Sequence, residues 1–206
     1  MGDLRIFNLN ELKVKFNLKY FIETGTLFGE GTDHAIAQGF DDVYSIEIDD
    51  DLYQRAVTKY AYHGGVNIIH GSSHEKIKDL LTLDGNCLFW LDAHFPSADC
   101  HKKSYTDEKD MEVRAPLQTE IELLSQRKNK YKDVIIADDF WLYNIEYQYE
   151  SGDIESHMKS IGQNITRQEL VGNANDKFFY DNFSDTHDLQ VIPNHQGYMI
   201  ITPKGV

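Results

Sequence analysis

Apolar residues fall along the first 140 positions in short runs, each cut off by a charged residue or a glycine. Leu18 with Tyr20–Ile22, Val43–Ile46, Val66–His70, Leu88–Leu91 and Val134–Ala137 have the length and the turn-rich borders of buried strands. The fourth, Leu-Phe-Trp-Leu, is unbroken, which predicts a central strand covered on both faces. Helical spacing fills the gaps. One helix is predicted from Thr32 through Ala37, and a second from Asp50 or Asp51 to about Tyr62, stopped by His63-Gly64-Gly65. A third, capped by Ser73, carries Ile77, Leu80 and Leu81. A fourth runs from Pro116 to Arg127 with Leu117, Ile121 and Leu124 on one stripe. At the front, Asn10 is expected to cap a turn from Glu11 to Phe16 that covers a sheet edge or a cleft. At the end, Leu189–Ile192 and Tyr198–Thr202 flank Pro193–Gly197 and predict a hairpin.

Strand–helix alternation of this kind predicts an α/β fold with a mostly parallel sheet and helices on both faces. Three stretches fit the pattern less well. Ala93–Arg114 is a long polar loop of the kind that is usually functional or disordered. Phe140–Tyr149 is rich in aromatics, and Trp141, Tyr143, Tyr147 and Tyr149 either stack on a ligand or face the core or a second copy. Ile154–Ile161 reads as helical.

The strand ends carry chemistry. The first strand stops at Glu23, and Gly25, Thr26, Gly29 and Gly31 follow before a helix. Glycines let a backbone bend sharply and approach a ligand closely, and a helix start offers unpaired N–H groups. The second strand stops at Glu47, which is placed to accept the two hydroxyls of a ribose. Strand, acid, glycine loop, helix, strand, acid: this order resembles motif I of the class I S-adenosylmethionine-dependent methyltransferases. The resemblance implies a Rossmann-like fold of seven strands with a C-terminal antiparallel hairpin, as one domain over residues 1–206. It implies S-adenosylmethionine as cofactor, held by Glu23, Gly25, Thr26, Gly29, Gly31, Glu47 and Asp92. Ser72 and Ser73 stand where the family commonly has an Asp beside the adenine, and act either on that base or as a plain helix cap. The dinucleotide pattern G-x-G-x-x-G is not met, which argues against NAD or FAD.

Composition narrows the partners. The 206 residues suit one α/β core. A formal charge of −14, from 34 acids and 20 bases, repels phosphate backbones and anionic membranes, so neither nucleic acid nor membrane is an expected partner. Two cysteines, Cys87 and Cys100, form no disulfide framework. With no signal pattern and no apolar run of spanning length, a cytoplasmic setting is the expectation. Self-association stays open.

A second acidic group, Asp92 in WLDAH and Asp138-Asp139 in VIIADDF, ends the fourth and fifth strands. Carboxylates gathered at one cleft repel unless a cation compensates, and hard oxygens suit Mg²⁺. With this group the chain resembles the metal-dependent O-methyltransferases of the catechol and the macrolide or aminocoumarin sugar type. That implies Asp92, Asp138 and Asp139 as metal ligands, Asp92 also in catalysis, and a small hydroxylated acceptor, with a sugar or glycoside favoured. The catechol type has a Lys three residues after the first Asp, where this chain has Phe95. His94 is therefore nominated as general base, with Lys102 and Lys103 or a purely packing role for His94 as alternatives. His94, Cys100 and His101 match no zinc spacing. The competing readings are a metal-independent methyltransferase and a non-catalytic cofactor-binding module.

Overall fold

The computed structural model describes residues 2–98, 100, 102–144, 146, 153–194 and 196–205. Seven strands form one sheet: β1 (Leu18–Thr24), β2 (Asp42–Glu47), β3 (Val66–His70), β4 (Asn86–Leu91), β5 (Val134–Ala137), β6 (His187–Ile192) and β7 (Tyr198–Pro203). Their order is β3-β2-β1-β4-β5-β7-β6. The first five pair in parallel, while β7 runs antiparallel to β5 and β6. This is the expected parallel sheet closed by a hairpin, with all five apolar runs in place.

Alternation along each strand sends side chains to opposite faces and builds two cores. Ile22, Phe89, Leu91, Ile135 and Ala137 join one core, and Phe21, Leu88, Trp90, Val134 and Ile136 the other. The helices are α1 (Leu9–Phe16), α2 (Glu30–Ala37), α3 (Asp50–Lys59), α4 (Ser73–Leu80), α5 (Met111–Arg114), α6 (Leu117–Leu124), α7 (Phe140–Tyr143), α8 (Ile154–Ser160), α9 (Arg167–Val171) and α10 (Lys177–Phe183). Among the described residues no helix is long and apolar enough to cross a membrane.

Helix starts depart from the sequence reading in small, explicable ways. Asn8, not Asn10, caps α1, because its Oδ1 accepts from Glu11 N at 3.1 Å, while Asn10 N donates to Gln38. Asp49, not Asp50 or Asp51, caps α3, since its Oδ1 accepts from Asp51 N and Leu52 N. Ser72, not Ser73, holds the cap position of α4, and its hydroxyl bonds His74 Nδ1 at 2.7 Å instead of the backbone. A run of candidate caps leaves the exact one to tertiary fit. The polar loop also contains α5, capped by Asp110. Helices α9 and α10 were not legible from periodicity.

Parallel register aligns the strand ends. Thr24 pairs with Ile46 and with Leu91, and Leu91 pairs with Ala137. Gly25, Glu47, Asp92 and Asp138 therefore emerge along one edge. The opposite edge is stapled by a buried ion pair, Arg127 Nε to Asp133 Oδ2 at 2.7 Å, whose guanidinium also donates to the carbonyls of Leu81, Leu83 and Gly85.

Candidate active site

The β1–α2 loop passes between the ends of β2 and β4. Gly25 has φ +85°, and a Cβ there would lie 2.6 Å from the Asp92 carbonyl oxygen, so a side chain would push the two strand ends apart. Gly31 packs on Glu23, where a Cβ would meet Oε1 at 1.9 Å. Glu23 is buried beneath the loop. Its Oε2 accepts from Thr32 Oγ1 at 2.7 Å and Ser45 Oγ at 2.6 Å. Burial pushes its pKa up to about 7, against the pull of those two hydroxyls. Thr26, also buried, bonds Ser45 Oγ at 2.6 Å. Thr32 and Ser45 thus lock the loop from behind; the sequence pattern placed them on a helix start and a strand but gave no sign of their bonds to Glu23.

Glu47 closes the loop from the other side. Oε2 accepts from Leu27 N and Oε1 from Asp49 N, each at 2.8 Å. The carboxylate keeps lone-pair capacity for a ligand beyond these N–H groups. Burial raises its pKa, and these N–H groups oppose the rise.

Two hollows meet at this edge. One is lined by Gly25, Glu47, Ser72, Ser73, Asp92, His94 and Ser97 among others. The second is lined by Glu23, Gly25, Gly31, Trp90 and Asp92, and is covered by residues 2–5. Gly25, Leu27 and Asp92 belong to both, so the groove is continuous past Asp92. Within the N-terminal segment it is residues 2–5 that cover the cleft, and not the helix that contains Glu11–Phe16. Asp3 N donates to Tyr198 Oη at 2.9 Å, and Gly2 lies against the Asp138 carboxyl.

The start of the polar loop is tied over the first hollow. Ser97 Oγ donates to Asp49 Oδ2 at 2.8 Å, and Lys102 Nζ reaches Asp49 Oδ1 at 2.6 Å and Asp51 Oδ2 at 2.9 Å. Against the effect of burial, these donors and Leu52 N hold the Asp49 pKa down to about 2. Lys102 is therefore engaged as a strap, away from His94. Replacing it with Ala should weaken binding of S-adenosylhomocysteine about two- to fivefold, as is usual for a partly exposed ion pair, and the deficit should shrink in high salt. Calorimetry at two ionic strengths checks this.

Beyond Asp92 the acids gather. Oxygen atoms of Asp92 and Asp139 and a ring nitrogen of His94 lie within 4.8 Å of one another, close enough for one cation to reach all three. Asp139 Oδ1 accepts from Trp141 Nε1 at 3.1 Å, and Oδ2 lies 3.7 Å from His94 Nδ1. His94 Nε2 is 3.1 Å from Tyr143 Oη. Burial lowers the pKa of His94, and Asp139 opposes that shift. Asp138 is fully buried, touching both Asp92 and the covering Gly2. Burial first, then the charge of Asp139, raises its pKa well above the carboxylate range. The structure thus brings His94 into the acidic group beside Asp92 and Asp139, and sets Asp138 behind them.

Of the aromatics, Phe140, Trp141 and Tyr143 are core residues that also frame this group. Tyr147, Tyr149 and His101 lie outside the described residues. Cys100 Sγ donates to the Ser97 carbonyl and joins no metal group among the described residues.

One further acid was missed. Glu120 on α6 is buried beside Ser73 and Thr24, with neither oxygen in a well-formed hydrogen bond among the described residues. Burial pushes its pKa up to about 7, from 4.5 in an exposed chain. The folded state therefore holds the proton more tightly than the unfolded one. Stability from this group is complete below about pH 4.5 and is lost as pH rises through about 7. The full loss is about 3 kcal/mol. Glu120→Gln should therefore be more stable than wild type at pH 8 by about 1–3 kcal/mol, with the gain vanishing at pH 4.5. Urea unfolding at both pH values reads this directly, and equal gains at both would refute it.

No family model matches this sequence, and no curated protein matches it. Solved structures do. An SAH-bound methyltransferase from Podospora anserina superposes with TM-score 0.61 at 16% identity, over 99% of this chain and 80% of that one. A putative caffeoyl-CoA O-methyltransferase from Staphylococcus aureus gives 0.55 at 18%, over 98% and 84%. The O-methyltransferase TomG from Streptomyces achromogenes, solved with SAM, gives 0.54 at 12%, over 100% and 82%. These likenesses establish the fold: the Rossmann-like architecture of the class I methyltransferases, as the resemblance implied.

Proposed function

We propose that this protein is an S-adenosylmethionine-dependent O-methyltransferase that acts, with a divalent cation, on a small hydroxylated acceptor. The observation that carries the reading is the position of Asp92. It lines both parts of the groove behind the glycine loop and also belongs to the group with His94 and Asp139. A cofactor groove and a cation site that share one wall would put a methyl donor beside an activated oxygen.

When bound, S-adenosylmethionine supplies a sulfonium methyl, and a cation lowers the pKa of an acceptor hydroxyl and orients it. The rest falls to the chain. Glu47 offers its spare lone pairs to the ribose hydroxyls. Ser72 and Ser73 border the adenine end of the groove. The glycine loop lets backbone approach the ligand at Gly25. The strap of Ser97 and Lys102 on Asp49 holds loop residues 93–98 over the groove, which keeps water out. The Glu23 carboxyl acts from behind, fixing the loop through Thr32 and Ser45. Holding both reactants in one geometry accounts for much of the expected acceleration.

An oxygen acceptor is supported by neighbours named as O-methyltransferases, one of them of caffeoyl-CoA type. The motif resemblance favours a sugar or glycoside. Calorimetry with S-adenosylmethionine, S-adenosylhomocysteine and NAD, with and without Mg²⁺, tests the cofactor. Transfer of labelled methyl to sugar and phenol panels, with and without chelator, tests the rest. Preference for NAD would overturn the class. Turnover unaffected by chelator would leave a metal-independent enzyme, and binding without transfer to any acceptor would leave a binding module.

A further inference from the structure

We infer that His94 is itself a cation ligand through Nδ1, completing a site with Asp92 and Asp139, and that this site takes a transition-series ion such as Mn²⁺ in preference to Mg²⁺. The inference rests on the metal-assisted reading above and deepens it.

The ring is held so that one nitrogen is committed and the other is not. Nε2 sits 3.1 Å from Tyr143 Oη, a fully buried hydroxyl. Nδ1 is buried and has no hydrogen-bond partner among the described residues, although the His94 side chain is only 3% exposed. An unmatched buried polar atom costs about 1–3 kcal/mol and calls for a specific reason. The nearest acid does not supply one. Asp139 Oδ2 is 3.7 Å from Nδ1, too long for a hydrogen bond. It lies within the span, at most about 4.2 Å, of two atoms that each sit about 2.1 Å from a shared ion.

The surroundings fix both partners in that relation. Trp141 Nε1 binds Asp139 Oδ1, which leaves Oδ2 as the oxygen nearest the ring. The chain turns at Phe95, where φ is +48°, and Phe95 N donates to the Arg114 carbonyl at 2.8 Å, anchoring the loop just after His94. A ligating histidine whose other nitrogen is held by a hydrogen-bonding neighbour is the usual pattern of metal sites, and Tyr143 fills the neighbour's role. One imidazole beside two carboxylates is a mixed donor set. Mg²⁺ favours oxygen donors throughout, whereas Mn²⁺, Fe²⁺, Co²⁺ and Zn²⁺ accept imidazole readily. On this assignment His94 is not the proton acceptor that its near-neutral side chain suggests in the sequence.

The test is spectroscopic. Full-length protein is stripped with chelator and titrated with Mn²⁺ under electron paramagnetic resonance. Pulsed measurements then look for ¹⁴N modulation from a directly bound imidazole. Expected are one tight Mn²⁺ site per chain with ¹⁴N modulation, and at least about tenfold weaker competition by Mg²⁺. His94→Gln should abolish the modulation and weaken Mn²⁺ at least about tenfold, with the far-ultraviolet circular dichroism of a folded protein retained. Tyr143→Phe keeps the ring and should retain the modulation. Mn²⁺ bound without ¹⁴N modulation, modulation that survives in His94→Gln, or Mg²⁺ binding as tightly as Mn²⁺ would each overturn the inference. Failure of the methyltransferase reading shows separately, as absence of S-adenosylhomocysteine binding with the ¹⁴N signal intact.

Discussion

Asp139→Ala should lower kcat/KM for methyl transfer by about three orders of magnitude while leaving S-adenosylhomocysteine affinity within about threefold. The asymmetry follows from where Asp139 sits. It lies in the group with Asp92 and His94, and it is not among the residues lining either hollow of the groove. On the metal-assisted reading proposed above, losing one carboxylate removes a ligand and a charge, about 4 kcal/mol of transition-state stabilisation for a thousandfold loss. Asp139 also holds a left-handed backbone, φ +55°, and accepts from Trp141 Nε1. Alanine tolerates that conformation poorly, so a stability cost of about 1–3 kcal/mol is expected and a melting curve must accompany the kinetics. Asp139→Asn is the sharper control. Asn suits the left-handed region and keeps an oxygen donor. It should retain activity within about tenfold of wild type if Asp139 acts as a ligand, and lose as much as alanine if it acts as a base. Wild-type turnover by Asp139→Ala in the presence of chelator would end the metal proposal.

Glu47→Ala should weaken S-adenosylhomocysteine about a hundredfold, and Glu47→Gln about tenfold. The carboxylate already accepts from Leu27 N and Asp49 N, so it is pinned before any ligand arrives. A pinned acceptor loses little entropy on binding, and hydrogen bonds to a charged group are worth about 1.5–3 kcal/mol each. Removing it also frees the N–H of Leu27, where the loop has φ +47°, and so loosens the glycine turn. Glutamine keeps one carbonyl oxygen and half of that pinning. Calorimetry on folded variants reads the effect; affinity within threefold of wild type for Glu47→Ala would remove Glu47 from the cofactor site.

Much of the architecture was legible because strands of a parallel sheet are buried on both faces and must be apolar throughout. Val43–Ile46, Leu88–Leu91 and Val134–Ala137 announce themselves for that reason. The acids at their ends were legible for the complementary reason, since a charge interrupts such a run only where the strand leaves the core. Helix starts were less so. The run Asp49-Asp50-Asp51 offers three caps of equal propensity, and the strap from Ser97 and Lys102 draws on the first. Helices α9 and α10 are short and draw their stability from tertiary packing, as with Phe179 and Phe183 in the core.

By itself the chain's pattern determined the sheet, the glycine turn, and which residues bring charge to its edge: Glu23, Glu47, Asp92, Asp138 and Asp139. Only the tertiary structure decided how those charges divide. Glu23 went behind the loop onto Ser45 and Thr32, Asp138 went under Gly2, and Asp139 turned to face His94. It also placed Tyr143 and Trp141, which the sequence left between a ligand and the core, in the core beside this group, and it buried Glu120, whose sequence position says only that it is helical. The reason is one of range. Strand burial and turn formation are set by neighbours a few residues apart, whereas the direction of a side chain at a strand end depends on which other segments, from nine to more than a hundred residues away, pack against it.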